Sequence, residues 1–369
     1  MRILVITDQY EGARHSAIDG IFNRYLKDQA EVDAVYFSRE SKLPEHTGER
    51  IVLPHRYRRR NVVKGLQGVV DLSRYDFVIV RNLFGLLADF LKARTRHSFK
   101  LGFWESFPHS YRRVYEARQT GKSVLRKTVE YAIRKRIEQR LVERCDFYLP
   151  ITETFKTTFH PDLSIPCHAL PMGVDFSLIA PPDEVHLPEG PTKFLYIGTV
   201  DRLRRLDLVV SAFARLEDDF LFDLYTPSDN DLVGWIKSIG DPRIRVHSAQ
   251  PREALFRIMP DYDVGIGIIP DTLLYRVSSP TKTLEYYAAG IPALMNHLPE
   301  YDQLFAEDTA FFCELGEESI LEALQSILRM ARPEIRQTGK RGQAAVKQAR
   351  DYEVMAEELY GFFHRRIMA

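Results

Sequence analysis

The sequence lacks long hydrophobic runs, paired cysteines and a net charge, and each absence narrows what the protein can be. It contains no stretch of eighteen apolar residues, which excludes a membrane-spanning helix. Its three cysteines, at positions 145, 167 and 313, lie far apart in no metal-ligand spacing, and an odd number argues against a disulfide framework. The first residues enter a strand-like run without the layout of a signal peptide. We therefore expect a cytoplasmic protein.

The formal charge of zero conceals two halves of opposite sign. Residues 1–180 contain 30 Lys and Arg against 21 Asp and Glu, whereas residues 181–369 contain 21 against 30. The densest basic stretches, 56–64 and 112–144, also carry aromatic residues. Such stretches favour an anionic membrane surface or a phosphate-bearing substrate, and a solvated helix face explains them equally well. The zero total and the absence of a recognised motif argue against nucleic-acid binding.

Strand-like runs and helical patterns alternate along the first half of the chain. Buried parallel strands are predicted at 3–7, 32–37, 77–80, 101–104 and 147–151. Helices are predicted at 20–29, 84–93 and 123–144, and apolar residues in the last of these recur at three- and four-residue steps, which gives one apolar face. This alternation predicts a doubly wound sheet with helices on both sides.

A proline-rich stretch then interrupts the alternation, which resumes at residue 193. Four prolines fall within residues 180–191. The sequence therefore predicts an α/β protein of two Rossmann-like, doubly wound domains facing across a cleft, residues 1–178 and 193–350, joined by a linker at 179–192. Residues 351–369 are predicted to form a final helix that packs back on the first domain.

The loop after the first strand lacks the G-x-G-x-x-G fingerprint of dinucleotide-binding proteins. Gly20 instead opens the predicted helix 20–29, whose free backbone amides can face an anion that approaches closely over the glycine. A plain turn glycine is an equally good interpretation.

Three arginines follow the glycine that ends the predicted strand 194–197. After Gly198 the chain places Arg202, Arg204 and Arg205 directly before an apolar helix. Cations are electrostatically misplaced at a helix N-terminus. The cluster therefore favours an anionic partner, such as a diphosphate clamped by guanidinium groups, over arginines that only face solvent.

The most informative pattern lies in residues 278–292, Ser-Ser-Pro-Thr-Lys-Thr-Leu-Glu-Tyr-Tyr-Ala-Ala-Gly-Ile-Pro. Small hydroxyl residues and a proline start a helix whose free amides can receive phosphate oxygens. Glu285 follows about one turn later, on a face that also carries Thr281, and can accept hydrogen bonds from a ribose diol. A surface carboxylate is the alternative interpretation of Glu285.

This segment resembles the donor-binding signature of the GT-B glycosyltransferases, in particular the retaining family 4, whose motif runs P-x-K-x-x-E-Y-x-A-x-G-x-P. The sequence matches that motif at Pro280, Lys282, Glu285, Tyr286, Ala288, Gly290 and Pro292. Segments 194–207, 170–175 and 351–353 are similar to further elements of the family. The likeness extends over nearly the whole chain.

The resemblance implies roles for individual residues on the donor side. Glu285 would hold the donor ribose, and the backbone around Ser279, Lys282 and Thr283 would meet the phosphates. Arg204 stands in place of the family's pyrophosphate-binding lysine. Arg205 is the alternative for that role, and Gly20 would lie beside the donor phosphate.

Other positions match the family loosely or depart from it. Glu105 and His109 stand near the family's histidine–aspartate pair, which makes both of them candidate active-site groups for orienting the acceptor or moving a proton. Val277 replaces the first glutamate of the family, and Thr199 replaces a basic residue. These departures place the donor-sugar contacts in question.

We therefore predict a glycosyltransferase that moves a sugar from a nucleoside-diphosphate sugar to an acceptor hydroxyl, with retention, in polysaccharide, lipopolysaccharide or glycolipid assembly. No D-x-D element falls at the end of a strand, so we expect no metal and no cofactor besides the donor. The expected acceptor is a saccharide or lipid-linked saccharide at an anionic inner membrane face. The alternatives are a non-catalytic nucleotide-sugar-binding protein derived from a transferase and a nucleotide-sugar 2-epimerase.

Overall fold

The computed structural model describes residues 1–40, 43–179 and 190–368. The chain packs into two compact units, one made of Met1–Met172 with Tyr352–Ala369 and the other of Gly173–Asp351. Most of the predicted linker, residues 180–189, lies outside the described residues. The second unit begins before the predicted boundary at 178. The reason is that the Val174 amide donates to the carbonyl of Arg350 at 2.9 Å, which fixes this segment to the second unit.

The first unit contains a seven-stranded sheet. Its strands are β1 (Arg2–Tyr10), β2 (Glu31–Ser38), β3 (Glu45–Thr47), β4 (Arg50–Pro54), β5 (Phe77–Arg81), β6 (Lys100–Glu105) and β7 (Phe147–Pro150). The spatial order is β3-β4-β2-β1-β5-β6-β7, and every pairing is parallel except β3 with β4. All five predicted strands are confirmed. The two that the sequence did not indicate, β3 and β4, extend one edge of the sheet.

Between Met1 and Met172 the described residues form the helices α1 (Val62–Leu66), α2 (Phe84–Ala93), α3 (His109–Thr120), α4 (Val124–Val142) and α5 (Glu153–Phe159). The predicted α-helix at 20–29 is wrong. A π-turn at Ile18–Phe22 and a 3-10 turn at Tyr25–Asp28 replace it. Between these turns, Asn23 Nδ2 donates to Asp19 Oδ1 at 3.0 Å and to the Tyr36 hydroxyl at 2.8 Å. These side-chain bonds tie the segment to β2 and override its helical pattern.

The second unit contains a six-stranded, all-parallel sheet. Its strands are β8 (Thr192–Ile197), β9 (Phe220–Thr226), β10 (Ile244–Ser248), β11 (Val264–Ile266), β12 (Ala293–Met295) and β13 (Phe311–Phe312). The spatial order is β10-β9-β8-β11-β12-β13. Its helices are α6 (Leu206–Ala214), α7 (Asp231–Ser238), α8 (Arg252–Ile258), α9 (Leu273–Arg276), α10 (Thr281–Ala288), α11 (Pro299–Leu304), α12 (Glu317–Leu328) and α13 (Arg332–Arg350). The predicted strand at 194–197 and the alternation of strands and helices that resumes there are confirmed.

The last helix, α14 (Tyr352–Phe362), belongs to the first unit and continues into a π-turn at Phe363–Met368. The ring of Phe363 lies 4.7 Å from that of Phe77 in β5 and 5.3 Å from that of Phe147 in β7. Aromatic packing of this kind buries large apolar area, so α14 completes the core of the first unit. Among the described residues, no helix combines the length and apolarity that crossing a bilayer requires.

Candidate functional site

The predicted arginine cluster lies where β8 ends in the second unit. Gly198 follows the strand with φ of 135°, a conformation that side chains strongly disfavour. The Asp201 carboxylate then caps the short 3-10 turn Arg202–Arg204, accepting from the Arg204 amide at 2.8 Å and pairing with its guanidinium at 2.5 Å. Arg205 instead turns outward, with φ of 53° and an exposed ion pair to Asp207 at 3.2 Å. Arg204 is therefore the arginine that the local structure positions.

Helix α10 carries the predicted Lys282–Glu285 motif and is fixed against the sheet by its aromatic face. The Ile197 amide at the end of β8 donates to the hydroxyl of Tyr286 at 2.9 Å. The same ring fills the space over Gly265 of β11, where a Cβ would lie 2.2 Å from a ring carbon. Pro280 occupies the N-cap, and within the described residues no side chain caps this helix. Its first amides are therefore available to an external acceptor.

Lys282 lies in the first turn of α10, and its ammonium is enclosed by apolar and cationic groups. Its Nζ lies 4.1 Å from the centroid of the Tyr196 ring and has no hydrogen-bond partner among the described residues. Burial, reinforced by the positive charge of Arg204, lowers the pKa of Lys282 to about 7, although Asp201 acts in the opposite direction. The structure thus brings the side chains of Lys282 and Arg204 close to each other, with one positive charge in excess of the Asp201 carboxylate.

Glu285 lies one turn further along α10 and is buried. Its side chain is 12% exposed and forms an ion pair with Arg252 of α8 at 2.8 Å. Burial raises the pKa of Glu285, while Arg252 opposes the shift. The alternative interpretation of Glu285 as a surface carboxylate is therefore wrong. Sequence reasoning missed Arg252, because an arginine that opens a short helix after a proline carries no distinguishing signal.

The hydroxyls of the other predicted residues on this side are already bonded within the protein. Thr283 shares a hydrogen bond of 2.9 Å with the hydroxyl of Tyr301, and Ser279 donates to the buried carboxylate of Glu300 at 2.8 Å. Glu300 also accepts from Arg350 at 3.2 Å. Backbone amides are consequently what Ser279 and Thr283 offer to a ligand. Val277, in place of the family's first glutamate, is fully buried.

A second polar cluster, which the sequence did not indicate, lies at the carboxyl ends of β1, β5 and β6 in the first unit. Arg81, only 4% exposed, pairs with Asp8 through one terminal nitrogen and donates to Ser106 at 2.8 Å through the other. Asn82, with φ of 58°, donates to Asp8 at 2.9 Å. Burial alone would raise the pKa of Asp8, but Arg81 and Asn82 outweigh it and lower that pKa. Arg81 ends β5, Asn82 and Ser106 directly follow β5 and β6, and Asp8 lies within the last three residues of β1.

One family model and several solved structures resemble this chain. A family model described as glycosyl transferase-like matches residues 204–361. Sucrose-phosphate synthase from Thermosynechococcus elongatus superposes with a TM-score of 0.75, at 15% identity, over 99% of this chain and 98% of that one. Anabaena HepE in complex with UDP-glucose gives 0.69 at 12% identity over 99% of each chain. The lipopolysaccharide outer core galactosyltransferase WaaB gives 0.66 at 12% identity, also over 99% of each.

The chain has the GT-B fold. The predicted resemblance to GT-B glycosyltransferases is confirmed at the level of the fold and of the family model, while assignment to family 4 stays a prediction. A search of the curated proteins finds no matching relative. The predicted architecture of two Rossmann-like units is also confirmed.

Gly20 has a structural explanation that does not involve phosphate in this GT-B chain. The predicted helix N-terminus at Gly20 is absent from the structure, since the π-turn at Ile18–Phe22 runs through it. A Cβ at Gly20 would lie 2.2 Å from a ring carbon of Tyr352 in α14. The missing side chain thus lets α14 pack against the first unit.

Glu105 and His109, the candidates on the first unit, lie in different environments. Glu105 ends β6, is 6% exposed, and accepts from the hydroxyl of Tyr148 at 2.9 Å and pairs with His160 at 3.0 Å. His109 is the first residue of α3 and is exposed, and its ring packs edge-on against that of Phe107 at 5.0 Å. Glu105 is thus held by buried partners, whereas His109 remains accessible.

Proposed function

We propose that this chain is a glycosyltransferase that moves a sugar from a nucleoside-diphosphate sugar to an acceptor hydroxyl. The observation that supports it most is the ammonium of Lys282, which lies close to Arg204 at the start of an uncapped helix. Two neighbouring cations repel each other, and an anion between them removes that repulsion. A diphosphate has the charge and the oxygen spacing to bind both cations and the first amides of α10.

The donor ribose is proposed to bind at Glu285. A carboxylate accepts two hydrogen bonds from a ribose diol, and the ion pair with Arg252 favours the ionised form of Glu285 against the effect of burial. Gly198 leaves the space beyond β8 open to the ligand, because a side chain is absent there. Ser279 and Thr283 are proposed to contribute their backbone amides. Arg205 is proposed to contribute its positive charge at longer range.

The proposed reaction needs stabilisation of the leaving group. The bond between the anomeric carbon and the β-phosphate oxygen breaks, a bond to the acceptor oxygen forms, and the hydroxyl proton passes to a base. Arg204 and Lys282 are proposed to neutralise the charge that grows on the departing diphosphate. His109, exposed at the start of α3, is proposed to orient the acceptor or take its proton. Glu105, bonded to Tyr148 and His160, is proposed to hold the end of β6, from which the chain continues to His109.

The structural relatives support the substrate class. HepE is described in complex with UDP and glucose, and a trehalose-phosphate synthase from Burkholderia xenovorans in complex with glucose-6-phosphate. We propose a saccharide or lipid-linked saccharide acceptor and a role in polysaccharide, lipopolysaccharide or glycolipid assembly, with the anomeric configuration retained. Activity is proposed to need no metal. That part is refuted if EDTA abolishes transfer and Mn²⁺ or Mg²⁺ restores it.

A thermal-shift screen against UDP-, GDP-, ADP- and dTDP-sugars tests the proposed function, since a ligand that binds only the folded state raises the melting temperature. We expect one nucleotide series to give a clear shift and the matching sugar to be transferred to a saccharide acceptor panel. Donor consumption without any acceptor indicates the 2-epimerase alternative. Binding without turnover indicates the non-catalytic alternative, and no shift with any nucleotide contradicts the proposal.

A further inference from the structure

Helix α4 presents a stripe of large apolar side chains to solvent. Leu125, Val129, Ile133 and Ile137 are 79%, 51%, 58% and 54% exposed. Their spacing of four residues places them along one side of the helix. The apolar face predicted from the sequence therefore exists, but it is not packed against the sheet. Monomeric proteins rarely leave contiguous apolar surface in water unless something binds it.

The opposite face of α4 is polar, which explains why the stripe points outward. Tyr131, Lys135 and Glu138 face α3 and line a cavity of about 20 Å³. Ser110 of α3 donates to Glu138 at 2.6 Å, and the rings of Tyr111 and Tyr131 meet at 5.7 Å. These contacts fix the rotation of α4 about its axis. The apolar stripe consequently has no route into the core of the first unit.

The surface around the stripe is strongly basic. Residues 109–144, which we call the helix hairpin, contain eleven Lys and Arg against four Glu, and nine of the eleven are exposed. Arg126 and Arg136 adjoin stripe residues in the sequence, Arg140 lies three positions after Ile137, and all three are exposed. Long basic side chains can lay their stems along an apolar surface while their charged ends contact phosphate. Two such hairpins would repel each other, which disfavours a second copy of the chain as the occupant.

We propose that the helix hairpin docks on an anionic lipid bilayer. The four stripe side chains enter the boundary between headgroups and acyl chains, and the arginines contact lipid phosphates, the arrangement that suits an interfacial helix. The proposal rests on the proposed function for its purpose, since it brings the enzyme to a lipid-linked acceptor. Its test does not depend on that function.

Flotation of the full chain with vesicles tests this surface. We expect binding to vesicles of phosphatidylcholine with phosphatidylglycerol, weakening as salt rises, and little binding to phosphatidylcholine alone. Replacing all four stripe residues with serine should lower binding at least about tenfold, because each buried apolar side chain contributes to interfacial affinity. Leu43→Ser, which removes a leucine that is 80% exposed outside the hairpin, should leave binding unchanged.

A companion variant and a second readout separate the outcomes. Arg126→Gln, Arg136→Gln and Arg140→Gln together should weaken binding and flatten its salt dependence. The nucleotide-sugar thermal shift should be the same in all these variants, which shows that they fold. The proposal is overturned if the wild-type chain ignores anionic vesicles, if the serine variant binds as well as the wild type, or if sedimentation shows that the stripe instead holds a dimer. Vesicle binding without any nucleotide response would refute the transferase proposal and support the proposal that the helix hairpin binds a bilayer.

Discussion

Charged side chains lie at the carboxyl edges of both sheets, but they are paired more completely in the first unit than in the second. In the first unit, the guanidinium of Arg81 is matched by Asp8 and Ser106. In the second unit, Asp201 pairs with Arg204, but the ammonium of the neighbouring Lys282 has no hydrogen-bond partner in the part of the chain that the structure describes. A balanced buried cluster stabilises a fold. An unbalanced one stores an electrostatic cost that an anionic ligand relieves.

The largest expected effect is a loss of stability when the paired charges of the first unit are disrupted. Asp8→Asn leaves the buried charge of Arg81 uncompensated, so the free energy of unfolding of the first unit should fall by about 3–5 kcal/mol. Urea unfolding measures it, with Asp28→Asn, at an exposed position of the same unit, as the matched control. A loss no larger than that of the control would show that the Asp8–Arg81 pair does not stabilise the edge.

The next largest effect is a loss of ligand affinity when the excess positive charge of the second unit is removed. Lys282→Gln should weaken the binding of both pyrophosphate and nucleoside diphosphate about a hundredfold, since charge-assisted contacts contribute about 1.5–3 kcal/mol each. Isothermal titration calorimetry measures both ligands. Lys237→Gln, on the exposed face of α7, removes the same charge elsewhere in the unit and should change neither affinity. Equal affinities in wild type and Lys282→Gln would remove Lys282 from the site.

A smaller effect separates the ribose contact from the phosphate contacts. Glu285→Gln should weaken nucleoside diphosphate binding about tenfold and leave pyrophosphate binding unchanged, because pyrophosphate has no ribose. Glutamine keeps the volume of the side chain beside Arg252. Glu322→Gln, exposed on α12, is the control. A matching loss for pyrophosphate would mean that Glu285 acts on the whole site rather than on the ribose.

The smallest effect is a pH dependence. In the free protein the pKa of Lys282 is lowered to about 7, and a bound diphosphate favours its charged form and raises that pKa. Affinity should therefore be insensitive to Lys282 below pH 7 and fall as pH rises above 7, by at most about tenfold per pH unit. Lys282→Gln should lack this extra slope. Comparing the two proteins cancels the titration of the ligand itself, and identical slopes would contradict the assignment.

The sequence predicted most of the fold because buried parallel strands are continuous apolar runs, as in β5 and β8, and these need no tertiary information. It failed at 20–29, where the side chain of Asn23 bonds to Tyr36 of the next strand, a tertiary contact that overrides the helical pattern. For Gly20 the sequence offered a phosphate contact or a plain turn, and it gave no sign of Tyr352, 332 positions away in the chain, whose packing excludes a side chain there.

The residues of the candidate site also differ in whether the sequence alone could indicate them. Lys282 and Glu285 could be proposed from the sequence because they share one helix and one motif, so their spacing is visible there. Arg252, Glu300 and the Asp8–Arg81 pair were missed because each gains its meaning from a partner on another element. The outward direction of the α4 stripe was likewise set by the contacts of Glu138 and Tyr131 with α3.

A crystal structure of the chain soaked with the nucleotide-sugar selected by the thermal-shift screen tests the central claim most directly. We expect the diphosphate within hydrogen-bond distance of Lys282 Nζ, Arg204 and the first amides of α10, with the ribose hydroxyls on Glu285. A nucleotide bound elsewhere, with Lys282 still against Tyr196, would contradict the account.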